Sequence, residues 1–240
     1  MAWPAPQRCC KSTKQKGTEG AIFVVRRTLK KRISGAGLQS CRDYVLLSNM
    51  QLVVASNNKG KILEIAALVA GVDLLSLKDI GFTDEIPEPY NTFEENAYAK
   101  ASAISAFCGL NVFADDSGLC VTALGGAPGV DSAHFSGERN DEKNLQEVLD
   151  RLKQYDDRSA FYKAVICLIC EGAVYYFDGV CEGSILYEKS GDGGFGYDPV
   201  FVPDGYTQSF GTLPLAVKNQ ISHRAKAVRK MVEFLALRIK

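Results

Sequence analysis

The sequence predicts an α/β fold: a mixed β-sheet flanked by helices, whose long central strands divide two lobes with a ligand cleft between them. Two observations carry this expectation. From Met50 onward, short apolar runs of strand character alternate with segments whose apolar residues repeat at helical spacing. Two long β-branched and aromatic stretches, Ser159–Cys170 and Ala173–Leu186, are separated only by Glu171-Gly172, which is the pattern of an antiparallel hairpin.

In order along the chain, Gln51–Ala55 is an apolar strand and Ser56-Asn57-Asn58 turns it. Ile62, Ile65, Ala66 and Val69 then recur on one helical face until Gly71. Val72–Leu77 has the composition of a second strand. Thr92–Phe107 reads as a helix, opened by a Thr92–Glu95 capping box and followed by Gly109. Asn111–Ala114 is a strand that runs into Asp115-Asp116-Ser117-Gly118. Asp141–Tyr155 is a charged, amphipathic helix. After the hairpin, Tyr197–Phe201 reads as extended, and Ser222–Arg238 is a final helix with Ala225, Val228, Val232 and Leu235 on one face.

A chain of 240 residues that is 46% hydrophobic can bury one sizeable core. Its net charge is zero but unevenly spread. Residues 1–49 hold ten Lys/Arg against two acids, Glu19 and Asp43, so residues 50–240 carry a surplus of eight negative charges. An acidic body argues against a non-specific nucleic-acid binder, which needs clustered Lys/Arg, and suits a site for divalent cations. No apolar run approaches the roughly 20 residues that span a bilayer, so no membrane is expected. The eight cysteines form no disulfide framework. Cys167 and Cys170, three apart on a strand, face opposite sides and read as core residues in a reducing cytoplasm. The basic stretch 1–49 reads as an extension apart from the 50–240 body: a disordered tail or start-site artefact, with a transit peptide as the alternative.

Several clusters carry chemistry. Ser56-Asn57-Asn58-Lys59-Gly60-Lys61 joins a strand to a helix. The helix N-terminus and two lysines there suit a triphosphate cradle, although turn composition by itself favours an ordinary capped turn. Asp115 and Asp116 are adjacent carboxylates that a divalent cation would reconcile, one of them able to act as general base; an Asx turn closing the strand is the alternative. Glu88, stiffened between Pro87 and Pro89, is a better further metal ligand than Glu95, which the capping box accounts for. Gly191–Gly196 matches G-x-G-x-x-G, but no helix follows, so it is no dinucleotide fingerprint. Its glycines let backbone approach a base or sugar, with Phe195 or Tyr197 stacking. Lys218 precedes a Ser222 N-cap, after which His223 and Arg224 put cations where they oppose the helix dipole. An anionic or carbonyl-rich ligand explains them.

Six blocks, Ser56–Lys61, Thr92-Phe93-Glu94-Glu95-Asn96-Ala97, Ala114–Leu119, Leu124-Gly125-Gly126-Ala127-Pro128-Gly129, Phe195-Gly196-Tyr197-Asp198-Pro199 and Ile221-Ser222-His223-Arg224, follow one another in this order. In them, from about Gln51 to about Leu237, the chain resembles the inosine triphosphate pyrophosphatase family. The resemblance implies an elongated, two-lobed α/β homodimer with a nucleotide cleft. It implies Mg2+-dependent hydrolysis of aberrant purine nucleoside triphosphates (ITP, dITP, XTP) to the monophosphate and pyrophosphate. Asp116 would be proton acceptor and Mg2+ ligand, with Glu88 as partner ligand. Ser56, Asn57, Asn58, Lys59, Gly60 and Lys61 would hold phosphates, with Ser117 nearby. Phe195, Gly196, Tyr197, Asp198, Lys218, His223 and Arg224 would contact the nucleotide, and the His223–Arg224 donors favour a 6-oxo purine. The chain departs from the family where Ser56-Asn57-Asn58 replaces a frequent Thr-Gly-Asn, and where Ala216-Val217 precedes Lys218 in place of a frequent Glu. Two other functions fit the same residues: a related pyrophosphatase for modified or pyrimidine nucleotides, and a non-catalytic nucleotide-binding protein.

A chain shortened to begin at Met50 is expected to keep the melting temperature and activity of the full chain. Calorimetry and a pyrophosphate assay check this, and a large loss in either would make the extension structural.

Overall fold

The computed structural model of the protein describes residues 50–69 and 71–238; the extension at 1–49 lies outside the described residues. In chain order the elements are β1 (Gln51–Val54), α1 (Lys59–Leu68), β2 (Asp73–Leu75), α2 (Phe93–Cys108), β3 (Val112–Val121), α3 (Asp141–Arg151), β4 (Ser159–Cys170), β5 (Ala173–Ile185), β6 (Phe201–Pro203), α4 (Leu215–Ile221) and α5 (His223–Arg238). They build one mixed six-stranded sheet in the order β2-β1-β3-β4-β5-β6. β1 is parallel to β2 and β3, and the other pairs are antiparallel. Among the described residues no helix is long and apolar enough to cross a membrane.

β3, β4 and β5 are long enough to serve two lobes. At one end the sheet is covered on both faces. Leu52, Val54, Phe113 and Ile166 pack against Ile65 of α1 and Val228, Met231 and Leu235 of α5. On the opposite face Val53, Val112, Ala114 and Val165 pack against Phe93, Ala97, Ala101 and Ile104 of α2. At the other end Leu119, Val121 and Tyr162 join Leu145 and Val148 of α3 and Phe201 beneath Phe210. Cys170 belongs to the first core and Cys167 to the second, as strand alternation requires.

Local chemistry places several boundaries. Thr92 Oγ1 accepts the Glu95 amide at 3.2 Å and its hydroxyl donates to Glu95 Oε2 at 2.7 Å, which opens α2. Gly109 closes that helix in the left-handed region at φ 67°. Glu171 and Gly172 turn the hairpin at φ 53° and 78°. Three expectations are corrected. Asp115-Asp116-Ser117-Gly118 is no turn, because β4 pairs with β3 residue by residue from Val112↔Ile169 to Val121↔Ala160. The stretch from Tyr197 to Val200 is a turn, closed by the Val200 and Phe201 amides on Tyr197 O, and strand begins only at Phe201. Finally, Lys218 sits on a short helix, α4, that periodicity did not reveal.

The start of α5 lies directly on β5 at Gly179. A Cβ there would stand 2.1 Å from His223 O and 2.8 Å from Ala227 N. The missing side chain is what lets α5 bring His223 and Arg224 onto the sheet. Gly179→Ala is expected to destabilise the fold by about 1–3 kcal/mol as an overpacked backbone contact, at about 2–4 °C of melting temperature per kcal/mol. Thermal unfolding measures this; an unchanged melting temperature would show that α5 is seated by other contacts.

Candidate active site

Alternation along β3 sends Asp115 and Asp116 to opposite faces of the sheet. Asp115, 1% exposed, faces α1 and α5. Its Oδ2 lies 2.8 Å from Lys61 Nζ and 3.3 Å from Arg224 Nη2, and accepts the Ser117 hydroxyl at 3.1 Å. Asp116 faces α2, where Lys100 Nζ donates to its Oδ1 at 2.7 Å. The same ammonium donates to Glu88 Oε1 at 2.7 Å and to the Asp115 carbonyl at 3.0 Å. The cost of burying two neighbouring carboxylates is therefore met by separate cations of the protein itself.

A second charged wall stands on α1, α4 and α5. Buried Glu64 places Oε1 at 2.7 Å from Lys218 Nζ and accepts from Arg224 with Oε2. Lys218 also pairs with Asp198 Oδ2, which accepts the Phe195 amide at 2.8 Å. Arg224 donates to the Ser117 hydroxyl at 2.7 Å. The Phe195 ring lies over both cations, its centroid 4.9 Å from Lys218 Nζ and 5.6 Å from Arg224 Cζ. Gly60 makes room for that ring, since a Cβ there would come within 2.5 Å of it. His223 stacks on Tyr162 with centroids 4.5 Å apart and planes 7° from parallel.

These surroundings tune the titratable groups. Burial alone would raise Asp115, but the charges of Arg224 and Lys61 outweigh it and hold the carboxyl far below the usual carboxylate range. Burial pushes Asp116 up. Lys100 and Lys61 oppose the shift, but one ammonium shared between Asp116 and Glu88 cannot neutralise both. Burial would lower Lys100, and the two carboxylates outweigh it and hold the ammonium above its ordinary value. Burial, then the charge of Arg224, push His223 well below the ordinary imidazole range. The expected pair of cations at the start of α5 is thus one cation, Arg224, beside a neutral ring.

Ser56, Asn57, Asn58, Lys61, Glu88, Asp116, Ser117, Phe195, Gly196, Tyr197, Asp198, Lys218, His223 and Arg224 all line one cleft. Lys59 is exposed and not on its wall, and Gly60 lies beneath Phe195. Asn58 caps α1 by accepting the Lys61 amide at 3.0 Å, and Ser56 Oγ accepts the Asn58 amide at 3.2 Å. Tyr197 is buried and donates its hydroxyl to Ser132 O at 2.8 Å, which leaves Phe195 as the available ring. Lys100, Glu64 and Tyr162 complete the site beyond the motifs of the sequence. Lys100 carried a signal: it lies at helical spacing within the apolar stripe Phe93, Ala97, Ala101 and Ile104. Among the described residues no three His, Cys, Asp or Glu side chains converge as a self-contained metal site. Asp116 and Glu88 are two oxygen donors meeting at one cation position, with one negative charge left over.

Sequence and fold both connect this chain to known proteins. Residues 52–234 match the Ham1 family. The chain is 47% identical to the dITP/XTP pyrophosphatase of Christiangramia forsetii over 189 residues, which is 78% of this chain and 100% of that protein. It is 46% identical to the dITP/XTP pyrophosphatase of Flavobacterium psychrophilum, over 77% of this chain and 98% of that one. The structure of a HAM1 protein from Coxiella burnetii superposes with a TM-score of 0.72 at 35% identity, covering 78% of this chain and 99% of that one. The Staphylococcus aureus Ham1 protein gives 0.71 at 36% identity, with 77% and 97% coverage.

An aspartate held far below the roughly 3.9 of an unfolded chain contributes stability that is present above that pH and lost as pH falls through the folded value. Between about pH 4 and pH 2 the wild type is therefore expected to lose stability more steeply than Asp115→Asn, by up to about 1.4 kcal/mol per pH unit. Urea unfolding across that range measures both slopes; equal slopes would sink this assignment.

Proposed function

The chain belongs to the Ham1 family, and from that membership we propose that it hydrolyses aberrant purine nucleoside triphosphates, ITP, dITP and XTP, to the monophosphate and pyrophosphate, clearing them from the nucleotide pool. The observation that carries this reading is the meeting, in one cleft, of the Asp116–Glu88 pair with the cationic and aromatic wall of Lys218, Arg224 and Phe195. The relatives named for dITP and XTP support the base class.

In this reading the phosphates lie along the N-terminus of α1, where Ser56 and Asn58 order the turn and Lys61 adds positive charge. The base lies toward Phe195. His223 and Arg224 line the same cleft and are the donors this reading assigns to a 6-oxo purine. Asp116 takes the proton of a water whose oxygen attacks the α-phosphorus, in line with the departing pyrophosphate. Burial raises the proton affinity of Asp116 and so makes it a stronger base than an exposed aspartate. Lys100 holds Asp116 and Glu88 in register throughout. Asp116 and Glu88 would hold Mg2+, which supplies neutralisation of phosphate charge when bound. Two carboxylates completed by substrate phosphate oxygens are a usual donor set for this ion. The same reading makes the protein a cytoplasmic homodimer and leaves residues 1–49 outside the catalytic body.

Incubation with ITP and Mg2+ is expected to give IMP and pyrophosphate, and chelation of the metal to stop turnover; release of IDP and orthophosphate would overturn the reading. Asp116→Asn keeps the shape and removes the base, and should lower kcat by about 10²–10⁴-fold. Turnover close to wild type in a folded variant would remove Asp116 from that role.

A further inference from the structure

We propose that Asn96 is the positioning residue that sets Glu88 against Asp116, by clamping the backbone of the loop that carries Glu88. Asn96 lies in the first turn of α2 and is 2% exposed. Its side-chain amide makes both of its bonds to one residue. Oδ1 accepts the Tyr90 amide at 2.9 Å and Nδ2 donates to the Tyr90 carbonyl at 2.9 Å. This satisfies Tyr90 as a neighbouring strand would, although residues 85–90 belong to no regular element.

One turn further along α2, Lys100 projects from the same face, as i and i+4 side chains do. It holds the Glu88 carboxylate and Asp116 together. α2 therefore grips this loop twice, on the backbone at Tyr90 and on the carboxylate at Glu88. The choice of Tyr90 has a chemical reason. Pro89 has no amide hydrogen, so Tyr90 supplies the first backbone donor after Glu88 by which the loop can be fastened. Without that fastening, the Glu88 side chain, 39% exposed, is held among the described residues by the Lys100 ammonium alone. Partners that orient a metal-ligating carboxylate typically govern affinity or activity by about 10–100-fold when removed.

The metal arm of the test rests on the pyrophosphatase reading above; the exchange arm does not. Asn96→Asp keeps the acceptor for the Tyr90 amide and loses the Nδ2 donor, and Asn96→Ala loses both. The Mg2+ concentration for half-maximal turnover is expected to rise by about 10–100-fold in Asn96→Ala. Hydrogen exchange at the Tyr90 amide, in protein free of metal and nucleotide, is expected to accelerate in Asn96→Ala, which loses the acceptor, and less in Asn96→Asp, which keeps it. The dissociation constant for IMP, bound toward Phe195, should stay unchanged. A folded Asn96→Ala with wild-type Mg2+ dependence and wild-type exchange at Tyr90 would overturn the proposal. So would a loss of IMP binding in step with the Mg2+ effect, which marks general loosening and not positioning. If the wild type itself releases no pyrophosphate, the functional reading fails, and exchange at Tyr90 still decides the clamp.

Discussion

Two aspartates that follow each other in a buried central strand must each find a counter-charge, and the rest of the protein is arranged around that need. An uncompensated carboxylate in such a place is costly, and removing one partner from a buried pair typically costs about 3–5 kcal/mol. Because β3 alternates, the partners have to come from different layers. Lys61 and Arg224 come from α1 and α5 on one face, and Lys100 from α2 on the other. The helices are thus fixed to the sheet by charge as well as by apolar packing, and the cleft inherits its walls from those same cations.

The two pairings are unequal, and the inequality divides structure from chemistry. Asp115 faces two cations and a hydroxyl, which leaves it a firmly ionised part of the framework. Asp116 shares a single ammonium with Glu88 and is pushed upward by burial. One carboxylate charge remains uncompensated there, opposite the α1 turn and near the Lys218–Arg224 wall. That residual negative charge is what the proposed Mg2+ would neutralise.

Close approach of backbone matters as much as charge. Gly60 admits the Phe195 ring against the first turn of α1, and Gly179 admits the start of α5 against β5. The first joins the strand–helix turn to the glycine-rich loop and the second joins β5 to the final helix, segments far apart in the chain. The long strands β3, β4 and β5 carry residues of both lobes, so the cleft has a rigid floor, while the Glu88 loop is fastened to α2 from the side.

The sequence by itself determined what depends on near neighbours. The Thr92 cap and Gly109 end of α2, the Glu171-Gly172 hairpin and the rejection of a dinucleotide fold at Gly191–Gly196 all rest on turn chemistry or periodicity within a few residues. The order of the six blocks was legible for the same reason. Only the tertiary structure decided that Asp115–Gly118 is strand and not turn. Its composition favours a turn locally, but pairing with β4 overrides it, and Gly118 is glycine because Gly129 O and Ser132 Oγ would lie 2.1 and 2.4 Å from a Cβ. Tertiary structure alone also placed Lys218 on α4, made His223 neutral by burial and gave Lys100 its two carboxylates. The physical reason is distance along the chain. Lys100 reaches Asp116 across 16 positions, Arg224 reaches Asp115 across 109 and Glu64 across 160. Local periodicity shows that such charges will be buried, but the partner that makes burial tolerable is chosen only when the layers close.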